Sequence, residues 1–362
     1  MKNKIFGLLA FLITIVSFQS CKEDIELTGD FKETAVVFAL LDQADSLHML
    51  KITRAFIGPG DALTFAQIPD SNYFASVSGT VTEYINGSPA RVFNLADTTI
   101  LNKDPNGVFY APTQRLYYFA TSPSNPLLDN AEYRLNLSIN NGQFSVTGKT
   151  NLVNGITENI SSKTQPFKFV ISNGDFATTL ISVGSGNSYQ ISTALTIEYT
   201  EWVGTTPTIK TIDWKLGEVT TNPGETKGFN AGGEQFYTLI KNSTSSDPSI
   251  TKRSFNSITT TVTGAAQDFY NYILVNEPSS SLAQNKPTFT NLSVSNGFSV
   301  VGIFSARQTV KVVKPLIDPS NSNFIRCINV TTTDKLCTGP ITGTLLFCSD
   351  HPADVLKTWS CP

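Results

Sequence analysis

Apolar and polar residues alternate along much of the chain after residue 31, in short segments that end at turn-forming residues. An alternation with a period of two places successive side chains on opposite faces of a strand. Residues 76–85 show this pattern and run into Asn86-Gly87, a pair typical of tight hairpin turns. Because no long helical pattern interrupts these segments, residues 31–153 are predicted to form an immunoglobulin-like β-sandwich. Its other strands are predicted at 34–40, 47–56, 91–95, 133–139 and 144–146.

A second β-rich domain is predicted for residues 154–314, after a break at Leu152-Val153-Asn154-Gly155. One short helix is expected at 265–274, where apolar residues have helical spacing and Pro278 follows. The predicted fold class is therefore mainly β, with an immunoglobulin-like sandwich followed by a second β-rich domain. The strands of that domain are predicted at 167–171, 189–199, 209–216, 236–240, 258–262, 288–294 and 298–304.

The first residues have the order of a secretion signal. Lys2 and Lys4 precede an apolar run at 5–16, and Phe18-Gln19-Ser20 leads into Cys21. The run is short for a membrane span, and no stop-transfer pattern follows it. Residues 1–20 are therefore predicted to be a signal peptide, Cys21 the acylated residue of a lipoprotein, and 21–30 a tether. Ordinary cleavage near a chance cysteine is the alternative.

The remaining cysteines all lie near the C-terminus, in a tail predicted to span 315–362. An even set in a secreted protein indicates disulfides, and four cysteines allow three pairings. A zinc site is the alternative, but zinc motifs use closely spaced pairs that this tail lacks. Two disulfides are predicted from Cys327, Cys337, Cys348 and Cys361.

Composition narrows the possible partners. The chain has 362 residues, with 26 basic and 29 acidic ones, so its net charge of −3 gives no reason to expect a nucleic-acid partner. Only 15% of the residues are charged, while Ser, Thr, Asn and Gly are abundant, as in many extracellular β proteins.

Catalytic chemistry has little support in the sequence. There are two histidines, His48 in a predicted strand and His351 in the tail. His48 is expected to face solvent. No nucleophile-elbow, H-E-x-x-H, calcium-loop, P-loop or dinucleotide motif is present, so neither an enzyme nor a bound metal or cofactor is expected.

One cluster of aromatic and acidic residues suggests a glycan-binding surface. Trp202 and Trp214 are the candidate ligand-binding residues, and Glu198, Glu201 and Asp213 lie near them in the sequence. Paired carboxylates would allow glycoside hydrolysis if they met in space. The alternative is ordinary cross-strand packing on the two faces of a sheet.

Residues 258–307 resemble a family of uncharacterised Bacteroidetes outer-membrane lipoproteins. The resemblance is carried by the strand ending at Val262, by Asp268-Phe269-Tyr270-Asn271-Tyr272, and by Phe289-Thr290-Asn291-Leu292, Asn296-Gly297-Phe298 and 301–306. It implies a lipid anchor, an immunoglobulin-like first domain and a gene beside a TonB-dependent transporter. The family has no established catalytic residues to transfer, and the cysteine tail resembles that of some members only.

The expected function is that of a surface-exposed outer-membrane lipoprotein, a non-enzymatic binding or accessory subunit of a TonB-dependent β-barrel transporter. Lys22-Glu23-Asp24 resembles the surface-export signal of Bacteroidetes lipoproteins. A glycan-binding module or carbohydrate-active enzyme, and a structural or adhesive envelope protein, are the alternatives.

Overall fold

The computed structural model describes residues 33–55, 62–107, 109–158, 165–276, 288–315 and 325–362. The signal peptide, Cys21 and the tether lie outside these residues. The strands are β1 Thr34–Leu41, β2 Leu47–Ala55, β3 Val77–Ile85, β4 Ser88–Asn94, β5 Ala96–Ile100, β6 Gln114–Ala120, β7 Glu132–Ile139, β8 Phe144–Asn151, β9 Ile156–Glu158, β10 Thr178–Ser185, β11 Gln190–Val203, β12 Thr206–Thr220, β13 Thr226–Gly232, β14 Ile250–Ala265, β15 Leu292–Val294, β16 Ser299–Lys314 and β17 Phe347–Cys348.

The helices are α1 Ala62–Ala66, α2 Pro69–Asn72, α3 Gly233–Ser243, α4 Gln267–Asn276 and α5 Val330–Thr338, with 3₁₀ turns at Gly343–Leu345 and Pro352–Asp354. The predicted fold class is confirmed: the protein is mainly β, with several sheets in a sandwich-like arrangement. The sequence predicts one helix in the second region, but the structure has two between residues 154 and 314, α3 and α4.

The strands of the described residues form three sheets. The largest has nine strands, ordered β12-β11-β14-β16-β1-β2-β6-β5, with β17 paired to β14. A five-stranded sheet has the order β15-β8-β7-β3-β4, and a three-stranded sheet the order β13-β10-β9.

The apolar core lies between these layers. In β7 every second residue is buried, and Tyr133, Leu135, Leu137 and Ile139 belong to the core. Alternate residues of β1, such as Val37 and Ala39, are buried in the same core. The period-two pattern of the sequence therefore marks the faces that meet inside the molecule.

Strand pairing crosses the boundary expected at residue 153. The parallel partner of β1 is β16, with Val36 opposite Val301, and β15 adds an antiparallel strand to β8. Residues 292–314 therefore complete the sheets of the first region while β16 also pairs with β14 of the second region. A boundary drawn along the sequence cannot anticipate such pairing, because the partners are distant in the chain.

Several turns have the backbone that the sequence predicts. Asn86 and Gly87 have positive φ angles of 51° and 79°, and Ile85 pairs with Ser88 across them. This is the conformation required by a two-residue hairpin that follows the natural strand twist. Positive φ angles also occur at Asn140, Asn141, Gly142, Asn296 and Gly297.

Three local expectations are wrong. No strand forms at 167–171, where Phe167 and Val170 make only isolated bridges. Residues 236–240 lie in α3 rather than in a strand, and Phe236, Tyr237 and Ile240 form its buried side. Their spacing of one and four residues is that of one helix face. His48 does not face solvent: it is 1% exposed, stacks on Phe119 at a centroid distance of 4.6 Å, and shares a hydrogen bond with Thr121.

Candidate functional site

The two tryptophans predicted to share a binding surface lie on opposite faces of the nine-stranded sheet. Trp214 of β12 pairs with Leu195 of β11, and Leu195 is a core residue. Trp202 of β11 lies seven positions further along, an odd number, so its side chain has the opposite orientation. A single cleft containing both indole rings is therefore excluded by the register.

The acidic residues near the tryptophans each have a separate polar partner. Glu201 forms an ion pair with Arg253 at 2.9 Å, and an oxygen of Glu198 accepts a hydrogen bond from Asn256. Asp213 accepts a hydrogen bond of 2.8 Å from the Thr196 hydroxyl. Glu201 lies on the buried face of β11, whereas Glu198 and Asp213 are diagonal neighbours on its other face.

Trp202 has the environment of a packed side chain. The ammonium of Lys252 lies 4.9 Å from its ring centroid, and the indole Nε1 is buried with no hydrogen-bond partner in the described part of the chain. The Lys252 ammonium therefore occupies one face of the Trp202 ring. Because Trp202 lies on the opposite face of the sheet, a substitution there is a control for substitution of Trp214.

Trp214 lies in an open cleft between β12 and α3, here called the Trp214 cleft. Its volume is about 620 Å³, within the roughly 300–1,000 Å³ typical of small-molecule sites. The apolar part of its lining consists of three partly buried side chains, Trp214, Leu216 and Leu239. Exposed polar side chains surround them. These polar residues are Asn230, Glu234, Gln235, Thr238 and Asn242; Lys215 also borders the cleft, but its side chain lies on the opposite face of β12 from Trp214.

Aromatic packing fixes both walls of the Trp214 cleft. Phe169 lies behind Trp214 with ring centroids 6.1 Å apart, and it stacks on Phe236 of α3 at 4.2 Å. Phe236 and Ile240 are both fully buried. One phenyl ring therefore contacts the strand wall and the helix wall, and holds them in a fixed relation.

A second surface of interest is the outward side of β16, β1 and β2, here called the outer face. Its exposed apolar side chains are Phe38, Leu47, Met49 and Val301, with exposures of 37%, 43%, 39% and 39%. Phe38 lies 6.0 Å from the ring of Tyr272 in α4, and no residue of α4 is buried. Apolar patches that stay exposed are typical of interaction surfaces.

The cysteine tail contains one disulfide in the structure. Cys348 and Cys361 are bonded, which agrees with part of the sequence prediction, whereas Cys327 and Cys337 are free thiols. The prediction of two disulfides is therefore wrong for the second pair. Cys337 lies in α5, whereas Cys327 precedes that helix with its sulfur directed towards the Asn256 carbonyl. Burial raises the thiol pKa of both to about 12, so they lack the thiolate character of reactive cysteines.

Glu158 is an unusual titratable group of the second region. Burial raises its carboxyl pKa to about 7, although Thr260 and Lys314 nearby act to lower it. A pKa raised above the ordinary value of 4.5 means that folding favours the protonated carboxyl. Its contribution to stability is therefore complete below about pH 4.5 and is lost as the pH rises through 7.

We expect Glu158→Gln to stabilise the protein at pH 8 and to have little effect at pH 4. After allowance for partial solvent screening, the gain at pH 8 should be about 1–2 kcal/mol. Urea denaturation at both pH values measures it, with the exposed Glu218→Gln as the control. An equal effect of Glu158→Gln at pH 4 and pH 8 would contradict the assigned burial.

Neither a membrane-spanning helix nor a clustered metal site was found in the described ranges. No helix there combines the length and apolarity needed to cross a bilayer. No group of three or more His, Cys, Asp or Glu side chains converges there in a way that could hold a metal ion.

The chain has little detectable similarity to known proteins. No family model matches the chain, and no curated protein sequence does. Among solved structures, the C-terminal globular domain of an oligosaccharyltransferase from Pyrococcus abyssi is similar over 54% of this chain at 13% identity, with a TM-score of 0.19. The aligned part spans 38% of that chain. A likeness this distant carries no argument about function.

Proposed function

We propose that this chain is a surface-exposed outer-membrane lipoprotein that acts, without catalysis, as an accessory binding subunit of a TonB-dependent transporter. The exposed apolar outer face is the observation that carries the proposal. Phe38, Met49 and Val301 would be costly to leave in water, at roughly 25 cal/mol per Å² of apolar surface. A protein partner that covers them would recover that free energy.

The position of the outer face in the chain supports a partner in the membrane. Phe38 and Val36 lie in β1, the first strand after the predicted tether. Residues 22–33 can reach at most about 40 Å even when fully extended. Acylation of Cys21 would therefore keep the outer face close to proteins embedded in the same membrane. More than one acyl chain makes such anchoring stable.

The chemistry of the outer face favours a protein partner. Its aromatic and thioether groups, Phe38, Tyr272 and Met49, are residue types enriched in protein interfaces. Lys51 lies directly opposite Phe38 in the β1–β2 pair and adds a positive charge beside the apolar patch. An apolar centre with a polar margin is the usual arrangement of a protein–protein contact.

Affinity purification from detergent-solubilised outer membranes, followed by mass spectrometry, tests the proposal. We expect a TonB-dependent transporter in stoichiometric amount with the wild-type protein. The double variant Phe38→Ser with Met49→Ser should lose at least 90% of it, because it removes the centre of the apolar patch. Thermal unfolding should confirm that the variant is folded.

The matched control is Leu180→Ser in β10, which removes an apolar side chain that is 63% exposed in a different sheet. It should retain the transporter. Recovery of the wild-type protein alone would contradict the proposal and favour a structural role in the envelope. Equal recovery from the double variant and wild type would place the contact elsewhere and remove the outer face as its basis.

A further inference from the structure

We infer that the Trp214 cleft binds a neutral carbohydrate chain. The inference names a ligand class for the binding protein proposed above and in that sense rests on the proposal. It arises from a different surface, however: Trp214 lies on the core side of β12, whereas the outer face is on the opposite side of the same sheet.

The mixture of side chains in the Trp214 cleft suits a sugar. A pyranose ring presents a face of C–H groups and a rim of hydroxyl groups, so it needs a flat apolar platform beside hydrogen-bonding groups. Trp214, with Leu216 and Leu239, supplies the apolar surface. Asn230, Gln235 and Asn242 supply amides, each of which both donates and accepts hydrogen bonds.

Charge in the Trp214 cleft indicates a neutral ligand. The described lining contains one carboxylate, Glu234, whereas Lys215 follows Trp214 in β12 and its side chain therefore lies on the opposite face of the sheet. With no basic side chain on the Trp214 side, the described lining has nothing to attract an anionic ligand. A nucleotide, a phosphorylated sugar or a polyuronic acid would need an excess of basic groups that the lining lacks.

The Trp214 cleft is also fixed before any ligand arrives. Phe169 supports the Trp214 ring from behind and stacks on Phe236, so strand and helix walls share one contact. Rigid aromatic platforms lose little conformational entropy on binding. The exposed amide side chains around them remain free to adapt to hydroxyl positions.

The position of the Trp214 cleft admits a chain rather than a single enclosed sugar. β12 is an edge strand of the nine-stranded sheet, and α3 lies beside it at the surface. The cleft is bounded by exposed residues such as Asn242 and Lys215. A polysaccharide could therefore lie along the surface with one or more of its residues on Trp214.

Affinity gel electrophoresis of the full-length protein in detergent tests the inference, with laminarin, xyloglucan, galactomannan and amylopectin as neutral probes. Isothermal titration should then be carried out with oligosaccharides cut from any probe that slows migration. We expect at least one neutral probe to bind. Trp214→Ala should weaken that binding at least tenfold, in line with the loss of an aromatic anchor.

Two further variants separate binding from folding. Asn242→Ala changes an exposed side chain, so it should leave thermal unfolding unchanged while weakening binding about three- to tenfold. Trp202→Ala is the matched control, because it removes an indole from the same sheet on the opposite face. Its binding should equal that of wild type.

The inference would be overturned if none of the four neutral probes bound. It would also be overturned if Trp214→Ala and Asn242→Ala bound as tightly as wild type, or if Trp202→Ala were as damaging as Trp214→Ala. The outer-face variant with Phe38→Ser and Met49→Ser should bind polysaccharide normally. In the wild-type protein, polysaccharide binding without transporter recovery, or transporter recovery without polysaccharide binding, therefore shows which of the two proposals has failed.

Discussion

Arg253→Ala should reduce the free energy of unfolding by about 3–5 kcal/mol, the cost typical of removing one partner from a buried ion pair. Arg253 is 2% exposed, and its guanidinium contacts Glu201 at 2.9 Å. It also donates hydrogen bonds to the carbonyl oxygens of Ser245 and Leu345. The alanine variant would leave a carboxylate and two carbonyl groups without this partner.

The loss of stability in Arg253→Ala should also affect the C-terminal tail. Arg253 of β14 pairs with Phe347 of β17, and its backbone N–H donates to the Leu346 carbonyl at 2.8 Å. The side chain and the main chain of one residue therefore both hold the tail against the sheet. We expect limited proteolysis of the variant to begin within residues 339–362.

Lys252→Ala is the neighbouring control for Arg253→Ala. It removes only the contact with the Trp202 ring, which should cost about 0.5–1 kcal/mol. The double variant Arg253→Met with Glu201→Leu should be more stable than Arg253→Ala, since it leaves no unpaired charge. Urea denaturation followed by circular dichroism measures all three. A loss below 1 kcal/mol for Arg253→Ala would contradict the buried role of this guanidinium.

Arg91→Ala should reduce the free energy of unfolding at pH 7 by about 2–3 kcal/mol, because it leaves a buried carboxylate unpaired. The side chain of Glu83 is 0% exposed and forms a two-point ion pair with Arg91. Tyr133 supports the same carboxylate with a hydrogen bond of 2.7 Å. The Tyr133 hydroxyl also accepts a hydrogen bond from the Leu128 backbone N–H at 2.6 Å.

The effect of Arg91→Ala should depend on pH. Burial of Glu83 opposes its ionisation, but the hydrogen bonds and charge of Arg91, with the Tyr133 hydroxyl, outweigh it and lower the Glu83 pKa. A lowered pKa contributes stability above the ordinary value of 4.5, and this contribution is lost as the pH falls through the folded-state value. The difference between wild type and Arg91→Ala should therefore shrink on acidification.

Unfolding midpoints between pH 3 and pH 7 test this dependence. Arg134→Ala in β7 is the control, because its ion pair with Glu132 is at the surface. It should have a smaller effect than Arg91→Ala and no comparable dependence on pH. A constant difference between Arg91→Ala and wild type over the whole range would contradict the assignment of Glu83 as the group that titrates.

Much of the local structure follows from the sequence because its causes are local. Alternating residues predict β3 and β7, and Asn86-Gly87 adopts the positive φ angles that the hairpin requires. The helix expected at 265–274 is α4, Gln267–Asn276. In each case the signal lies within about ten residues of the feature it predicts.

The arrangement of the sheets depends on contacts that have no local signal. β1 pairs with β16 although their residues are more than 250 positions apart. The Phe236–Ile240 segment combines residue types that favour strands with a spacing that favours a helix, and packing against Phe169 agrees with the helix. Local preference is overridden where burial of an amphipathic face decides the conformation.

The candidate site likewise has one feature that the sequence predicts locally and another that depends on distant contacts. The sequence identifies Trp214 as a possible ligand residue, but it pairs the residue with Trp202 because the two are near in sequence. Register within the β11–β12 hairpin, which is regular from the Leu195–Trp214 pair to the Trp202–Pro207 pair, decides which face each indole occupies. The true neighbours of Trp214 come from α3, and no sequence pattern links that helix to β12.

Cross-linking of intact outer membranes with a lysine-reactive reagent tests whether the outer face contacts a transporter. Lys51 is exposed beside Phe38 on the outer face, whereas Lys241 is exposed on α3 beside the Trp214 cleft. We expect cross-links from Lys51 to a TonB-dependent transporter and none from Lys241 to that protein. Transporter cross-links from Lys241 alone, or no transporter cross-link from Lys51, would contradict this expectation.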